Sequence, residues 1–304
     1  MKQLKRFGQK TLLLMVMISL LFLNAQAGDK KEVNKTFKPK ETVEIKTVSG
    51  DCVIKKGSDS EIKVHVVYTY SDDEFKVVFE EEGNTLVMKE DFIKKERHWS
   101  HHGESHWTVT LPGKTKVEFK SASGDLDANG LMKGLSVKVA SGDVTAKDMM
   151  GNIHIKSASG DVKINDSSGE ITVEVASGDI TLSDVKGTFD IKAASSDIEA
   201  RGIQFNEESS FKTVSGELLV KLSKTSAVDL NLAAVSGDVT LDYNGNPVKG
   251  YFEFKGKKGN ISSDIPFDDH EKHSYSPFVT RHFSKGNSPK ITLKAVSGDL
   301  IFKK

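Results

Sequence analysis

The 304-residue chain has one cysteine, Cys52, so no intramolecular disulfide can form in any redox compartment. Its six prolines are too few for a proline-rich linker. No Gly-x-Ser-x-Gly, His-Glu-x-x-His or P-loop pattern occurs. Arginine is scarce: beyond residue 27 there are only Arg97, Arg201 and Arg281. Neither sign of charge dominates, with 43 basic and 43 acidic residues. That balance conceals a basic start, because Lys2, Lys5, Arg6 and Lys10 all precede the first acid. Without those four, 39 basic residues face 43 acidic ones, a net charge near −4. A weakly acidic chain lacks the electrostatic footprint of a nucleic-acid binder.

What the chain does have begins with that basic start. An apolar run, Leu12 to Leu23, follows it and leads into Ala25-Gln26-Ala27. This order predicts a signal peptide over residues 1–27, cleaved after Ala27, and hence export to the periplasm, the cell surface or the medium. An uncleaved anchor is the alternative, but the run is short for a transmembrane span. No cysteine follows it that would carry a lipid. The mature chain is therefore expected to have no transmembrane domain.

Internal repetition is the dominant signal. Ser-Gly-Asp recurs with its glycine and aspartate at Gly50 and Asp51, Gly124 and Asp125, Gly142 and Asp143, Gly160 and Asp161, Gly178 and Asp179, Gly237 and Asp238, and Gly298 and Asp299. Ser195-Ser196-Asp197, Ser215-Gly216-Glu217 and the degenerate Lys258-Gly259-Asn260 fill the gaps. From Gly124 to Ser196 the step is 18 residues, and it then lengthens to 20, 21 and 22. Apolar residues recur five before the glycine position, as at Val137, Ile155 and Val173, and two after it, as at Val144, Val162 and Ile180. Four before it stands a row of lysines, among them Lys120, Lys138, Lys156 and Lys192.

Alternation with period two marks strands with one buried face. Each unit reads as strand, Ser-Gly-Asp bend, strand and looser turn. One unit cannot bury its own apolar face, whereas stacked units can. The expected fold is all-β: a single-stranded, β-helix-like β-solenoid of about ten short coils, roughly 45 Å long at the strand spacing. An antiparallel meander or sandwich is the alternative. Glycine permits positive φ at the bend, and Ser and Asp side chains bond nearby amides. Stacked aspartates roughly 4.8 Å apart repel one another. Backbone amides with solvated carboxylates would offset this, and so would a row of Ca²⁺ ions, although only one acid recurs per coil.

Ile153-His154-Ile155-Lys156-Ser157-Ala158-Ser159-Gly160-Asp161-Val162 and its neighbours resemble the repeat of a bacterial family of exported proteins, domain-of-unknown-function family 4097. The resemblance covers roughly residues 40 to 304. It implies an exported or membrane-associated protein with an adhesin label, and it brings no catalytic residues.

The expected organisation is a signal peptide at 1–27, a linker at 28–40, and an N-terminal β segment at 41–112. That segment holds the first coil, antiparallel strands as an insertion, and a His/Trp loop. The repeat follows at 113–304, with an insertion at 266–289 that separates the last two coils. In the His/Trp loop, His98, His101, His102 and His106 accompany Trp99, Glu104 and Trp107. Imidazoles this close suit a transition metal, but the spacing matches no defined metal motif, and a solvated hairpin loop is the plainer reading. Cys52 falls on an inward position and reads as core rather than nucleophile. The lysine row reads as a solvated face, with a stripe for acidic glycans or anionic surfaces as the alternative. A polysaccharide-acting β-helix enzyme would need clustered acids on a groove of long loops, and here the loops are minimal. The sequence thus points to a non-catalytic binding or structural module of the cell envelope, with an envelope, glycan or protein partner. The alternative is a periplasmic scaffold or stress-related protein with no adhesive role.

Overall fold

A computed structural model describes residues 30–93, 103–268 and 276–304. The signal segment therefore lies outside the described residues. Every regular element among those residues is a strand, and all join one continuous sheet wrapped around the core.

The 18-residue unit produces two strands on either side of its glycine. At the Gly142 level these are Leu135–Ser141 and Val144–Lys147, and at the Gly160 level they are Ile153–Ser159 and Val162–Asn165. Equivalent strands pair in parallel with no offset, so Val137 lies beside Ile155 and Val144 beside Val162. Two parallel ladders result, one carrying the lysine row and one formed by the strands after the bend. They meet at Ile198–Phe205, which begins in the second ladder and ends beside Lys186 and Gly187 in the first.

The core sits between the ladders. Because the register never slips along the 18-residue run, each apolar position becomes a column. Val117, Leu135, Ile153, Ile171 and Phe189 form one column, and Ala128, Ala146, Ile164, Leu182 and Ala200 form another, all buried. Burying a side chain of Val or Ile size stabilises by roughly 1.5–3 kcal/mol, so no single level carries the fold. The looser turn closes each level through a left-handed residue six after the glycine position: Gly130, Asp148, Asp166, Asp184 and Gly202, at φ +49° to +77°. Asp tolerates this region because its short side chain bonds locally.

The two ends depart from the expected organisation. The segment read as a linker, 28–40, contains the strand Lys31–Phe37, which pairs antiparallel with Ile62–Tyr68. The N-terminal insertion does not simply leave the stack. Thr85–Phe92 runs parallel to Thr42–Thr47, and Ser105–Leu111 runs parallel to Asp51–Lys56. Together they add a level below the first Ser-Gly-Asp. Phe75–Glu82 and Ile62–Tyr68 then close this end antiparallel.

At the other end the last two levels are exchanged. Lys290–Ser297 lies between Leu230–Ser236 and Gly250–Lys257, and Leu300–Lys303 lies between Val239–Asp242 and Ile261–Ser263. The Gly298 level is thus interior, and the Gly259 level is outermost. The insertion at 266–289 supplies Phe278–Lys285, which covers Gly250–Lys257 antiparallel. The exchange seats Phe302 beside Tyr243, Phe252 and Phe283, with ring centroids 5.1–5.3 Å apart.

Candidate functional site

The repeated turn carries the most recurrent polar residues of the chain. Gly142, Gly160, Gly178, Gly216, Gly237 and Gly298 have φ between +117° and +137°. A Cβ at any of them would collide with the carbonyl oxygen of the neighbouring level's turn, and for Gly298 that neighbour is Gly237. Ser196 escapes the constraint because its φ is not in the left-handed region.

The aspartates form a hydrogen-bonded ladder. The Asp125 amide donates to Asp51 Oδ1 at 3.0 Å, Asp143 to Asp125 at 2.8 Å, Asp161 to Asp143 at 2.8 Å, and Asp179 to Asp161 at 2.9 Å. The series continues through Asp197 to the amide of Glu217 and resumes from Asp238 to Asp299. It ends where Asn260 Nδ2 donates to Asp299 Oδ1 at 2.7 Å. Each carboxylate thus takes a charge-assisted bond from the next level, which offsets the repulsion along the column.

Of the four histidines in the candidate metal loop, His98, His101 and His102 lie outside the described residues. His106 is exposed and sits in register with Asp51. Its Nδ1 is 3.5 Å from Asp51 Oδ2 and its Nε2 is 3.5 Å from Glu104 Oε2, so the imidazole extends the aspartate column by one level. Among the described residues there is no cluster of three or more His, Cys, Asp or Glu placed to hold a metal.

Sequence reasoning missed the polar group behind this corner. Glu90 is buried, at 8% exposure. Its Oε2 accepts the amides of Val48 at 2.6 Å and Ser49 at 3.3 Å. Its Oε1 accepts the Ser105 hydroxyl and Trp107 Nε1–H, the latter at 3.1 Å. With four donors on two oxygens, Glu90 serves as a cap for the first Ser-Gly-Asp turn. No local pattern marks it, because the contact spans about forty residues. Cys52 is buried beside it. Desolvation, with the charges of Glu90 and Asp51 adding to it, pushes the thiol far above its ordinary range. Such a thiol is no nucleophile.

The outer face of the first ladder is the remaining candidate surface. The lysine row is in register across it: Lys46, Lys120, Lys138 and Lys156, then Glu174, Lys192 and Lys212. Several of these lysines are paired within the sheet, Lys120 with Glu44 at 2.6 Å, Lys156 with Glu174 at 2.8 Å and Lys192 with Asp190 at 2.6 Å. Beside the row runs an exposed line of small residues, Ala122, Ala140, Ala158, Ala176 and Ala194. The two rows bound a shallow groove of about 720 Å³ that crosses several levels.

Solved structures of the same architecture exist, and several bear the name "putative adhesin". One from Parabacteroides distasonis is 14% identical, with 91% of this chain and 98% of that chain aligned and a TM-score of 0.56. One from Parabacteroides merdae is 11% identical over the same shares, with a TM-score of 0.51. A third, from Bacteroides fragilis, is 17% identical over 90% of this chain and 97% of that one, with a TM-score of 0.45. At these identities the likeness to the two Parabacteroides proteins concerns the fold. No curated protein gives a significant match. The family profile described as Toastrack DUF4097 matches residues 40–265, most of the described strands, and the chain belongs to that family.

Proposed function

We propose that this chain is an exported, non-catalytic β-solenoid of about ten coils that serves as a binding module of the cell envelope. The observation behind this reading is the continuous outer face of the first ladder, where a lysine row and an apolar row run side by side across successive levels. Such a surface meets an extended partner along its length. The most repeated acids point to architecture rather than chemistry, since each gives one oxygen to a backbone amide. The name "putative adhesin" borne by the similar solved structures agrees with this reading. No helix among the described residues is long and apolar enough to cross a membrane.

Glycan-array binding, together with protease accessibility on intact cells, tests the proposal. Surface exposure with selective binding supports it. Protection from protease combined with no glycan or matrix binding overturns it. That outcome would favour a periplasmic scaffold without adhesive role, a reading supported by the many lysines already paired within the sheet. The proposal includes no resident metal. Calcium titration is expected to give no heat and no shift in melting temperature, and a saturable Ca²⁺ isotherm would refute that expectation.

A further inference from the structure

We infer that the C-terminal end of the lysine-bearing face docks on an anionic lipid surface. The inference names a partner for the binding reading above and rests on it.

The repeat departs from its own pattern at this end. Two residues before the glycine position the middle levels carry exposed alanines, from Ala122 to Ala194. The next levels carry Val214, Val235 and Val296 instead, exposed by 54%, 48% and 52%. Alanine serves the same backbone position in the neighbouring levels, so the fold does not require the larger side chain there. The exchange of the last two levels makes the row contiguous. Ser215 aligns with Ser236 and Ser236 with Ser297, which places the three valines side by side. The row continues to Lys257 and then to Phe278, which is 45% exposed and in register with Lys257. In chain order, Lys257 would have split the valines.

Lysines without a partner flank the row. Lys212 and Lys294, like Lys138 further along the face, have no carboxylate within ion-pair distance among the described residues, whereas Lys120, Lys156 and Lys192 are paired. Lys255, paired with Glu253 at 2.8 Å, stands beside Lys294. A cleft of about 320 Å³ opens at this place, with Ala234 and Gly256 in its lining and Lys255 and Lys294 at its edge.

Half-exposed aliphatic side chains beside unpaired lysines match the chemistry of an acidic bilayer surface. The apolar row enters the interfacial region, and the ammonium groups meet the headgroups. A glycan fits less well, because the row is three valines and Lys257 with Phe278 as its single ring, and so offers no aromatic platform. Isologous pairing of two copies would set one basic patch against another.

Cosedimentation of the chain from Gly28 onward, which holds every described strand, tests the inference. Vesicles of 30% phosphatidylglycerol in phosphatidylcholine are compared with vesicles of phosphatidylcholine alone. The expected result is at least five-fold more protein on the acidic vesicles. A loss of about that factor is expected in Val214→Ser/Val235→Ser/Val296→Ser and in Lys212→Gln/Lys294→Gln, whereas Lys163→Gln, exposed on the second ladder, binds as the parent does. The single variant Val235→Ser, with a parent-like melting curve and about two-fold weaker binding, serves if the triple variant fails to fold. Equal binding to both vesicles, or binding unchanged in the valine and lysine variants, overturns the inference. A dimer that the valine variant dissolves, without vesicle binding, also overturns it and assigns the face to a second copy. These results leave the glycan-array and protease tests untouched, so the two proposals fail separately.

Discussion

At Gly160 the backbone runs at φ +117° with the Gly142 carbonyl oxygen where a Cβ would sit. Gly160→Ala is therefore expected to cost about 2–4 kcal/mol, from the strained φ and the displaced neighbour together. Urea denaturation measures it, and a loss under about 0.5 kcal/mol would contradict the account. The aspartate beside it separates charge from hydrogen bonding. Asp161→Asn keeps an acceptor for the Asp179 amide and removes a like charge from the column, so its stability should stay near the parent's. Asp161→Ala leaves that amide without its acceptor and should lose about 1–2 kcal/mol. Equal losses in the two variants would mean that the ladder bond is not what matters. Glu90 offers a sharper case, because its carboxylate takes four donors in a buried setting. Glu90→Ala should cost about 3–5 kcal/mol and loosen the first turn, read as faster amide exchange at Val48 and Ser49.

The strands of the lysine-bearing ladder are linked across levels by ion pairs as well as by backbone bonds. Burial alone would raise the Glu44 carboxyl, but hydrogen bonds from Lys120 and Lys46 outweigh it and hold the group below its ordinary range. A carboxyl depressed in the folded state contributes stability above its unfolded value and loses it as pH falls through the folded value. The Lys120 ammonium is raised, first by its hydrogen bond to Glu44, so its contribution is present below its unfolded value and fades as pH rises through the folded one. Glu44→Gln should therefore flatten the acid limb of the stability–pH curve between about pH 5 and 3. An unchanged acid limb would remove the pair from the account. The looser turn has a signal of its own in the 18-residue levels: a left-handed Gly or Asp six after the glycine position. Both residue types reach that region at low cost, so the column is legible once the level is known.

At the scale of the whole molecule, the ends are locked by levels inserted out of chain order. Thr42–Thr47 lies between Thr85–Phe92 and Lys116–Ser123, and Lys290–Ser297 lies between Leu230–Ser236 and Gly250–Lys257. A parallel stack that ended in chain order would expose an open edge, and such edges invite pairing with other chains. Removing residues 287–304 should therefore do more than delete a terminal coil. It would open a gap between the Gly237 and Gly259 levels, which do not pair with each other, and strip Phe302 from the aromatic cluster. Thermal unfolding and size-exclusion chromatography of this truncation are expected to show a lower melting temperature and soluble oligomers. A monomer with the parent's melting temperature would contradict the locking role.

Most of the stacked levels can be read from the chain itself. Alternation at period two selects strands, and an 18-residue step without slips aligns like with like, so Val137 finds Ile155 and Asp143 finds Asp161 by local counting alone. The bend glycines and inward columns follow from the same arithmetic, because they depend on backbone sterics and the burial of nearby residues. The remainder rests on contacts between distant segments. Which strand covers a free edge depends on whose apolar face completes the core there, and this puts the Gly298 level between the Gly237 and Gly259 levels. Glu90 caps Val48 and Ser49 because folding of the insertion brings it there. The valine row, interrupted by Lys257 in chain order, becomes continuous only when the inserted level joins Val296 to Val235.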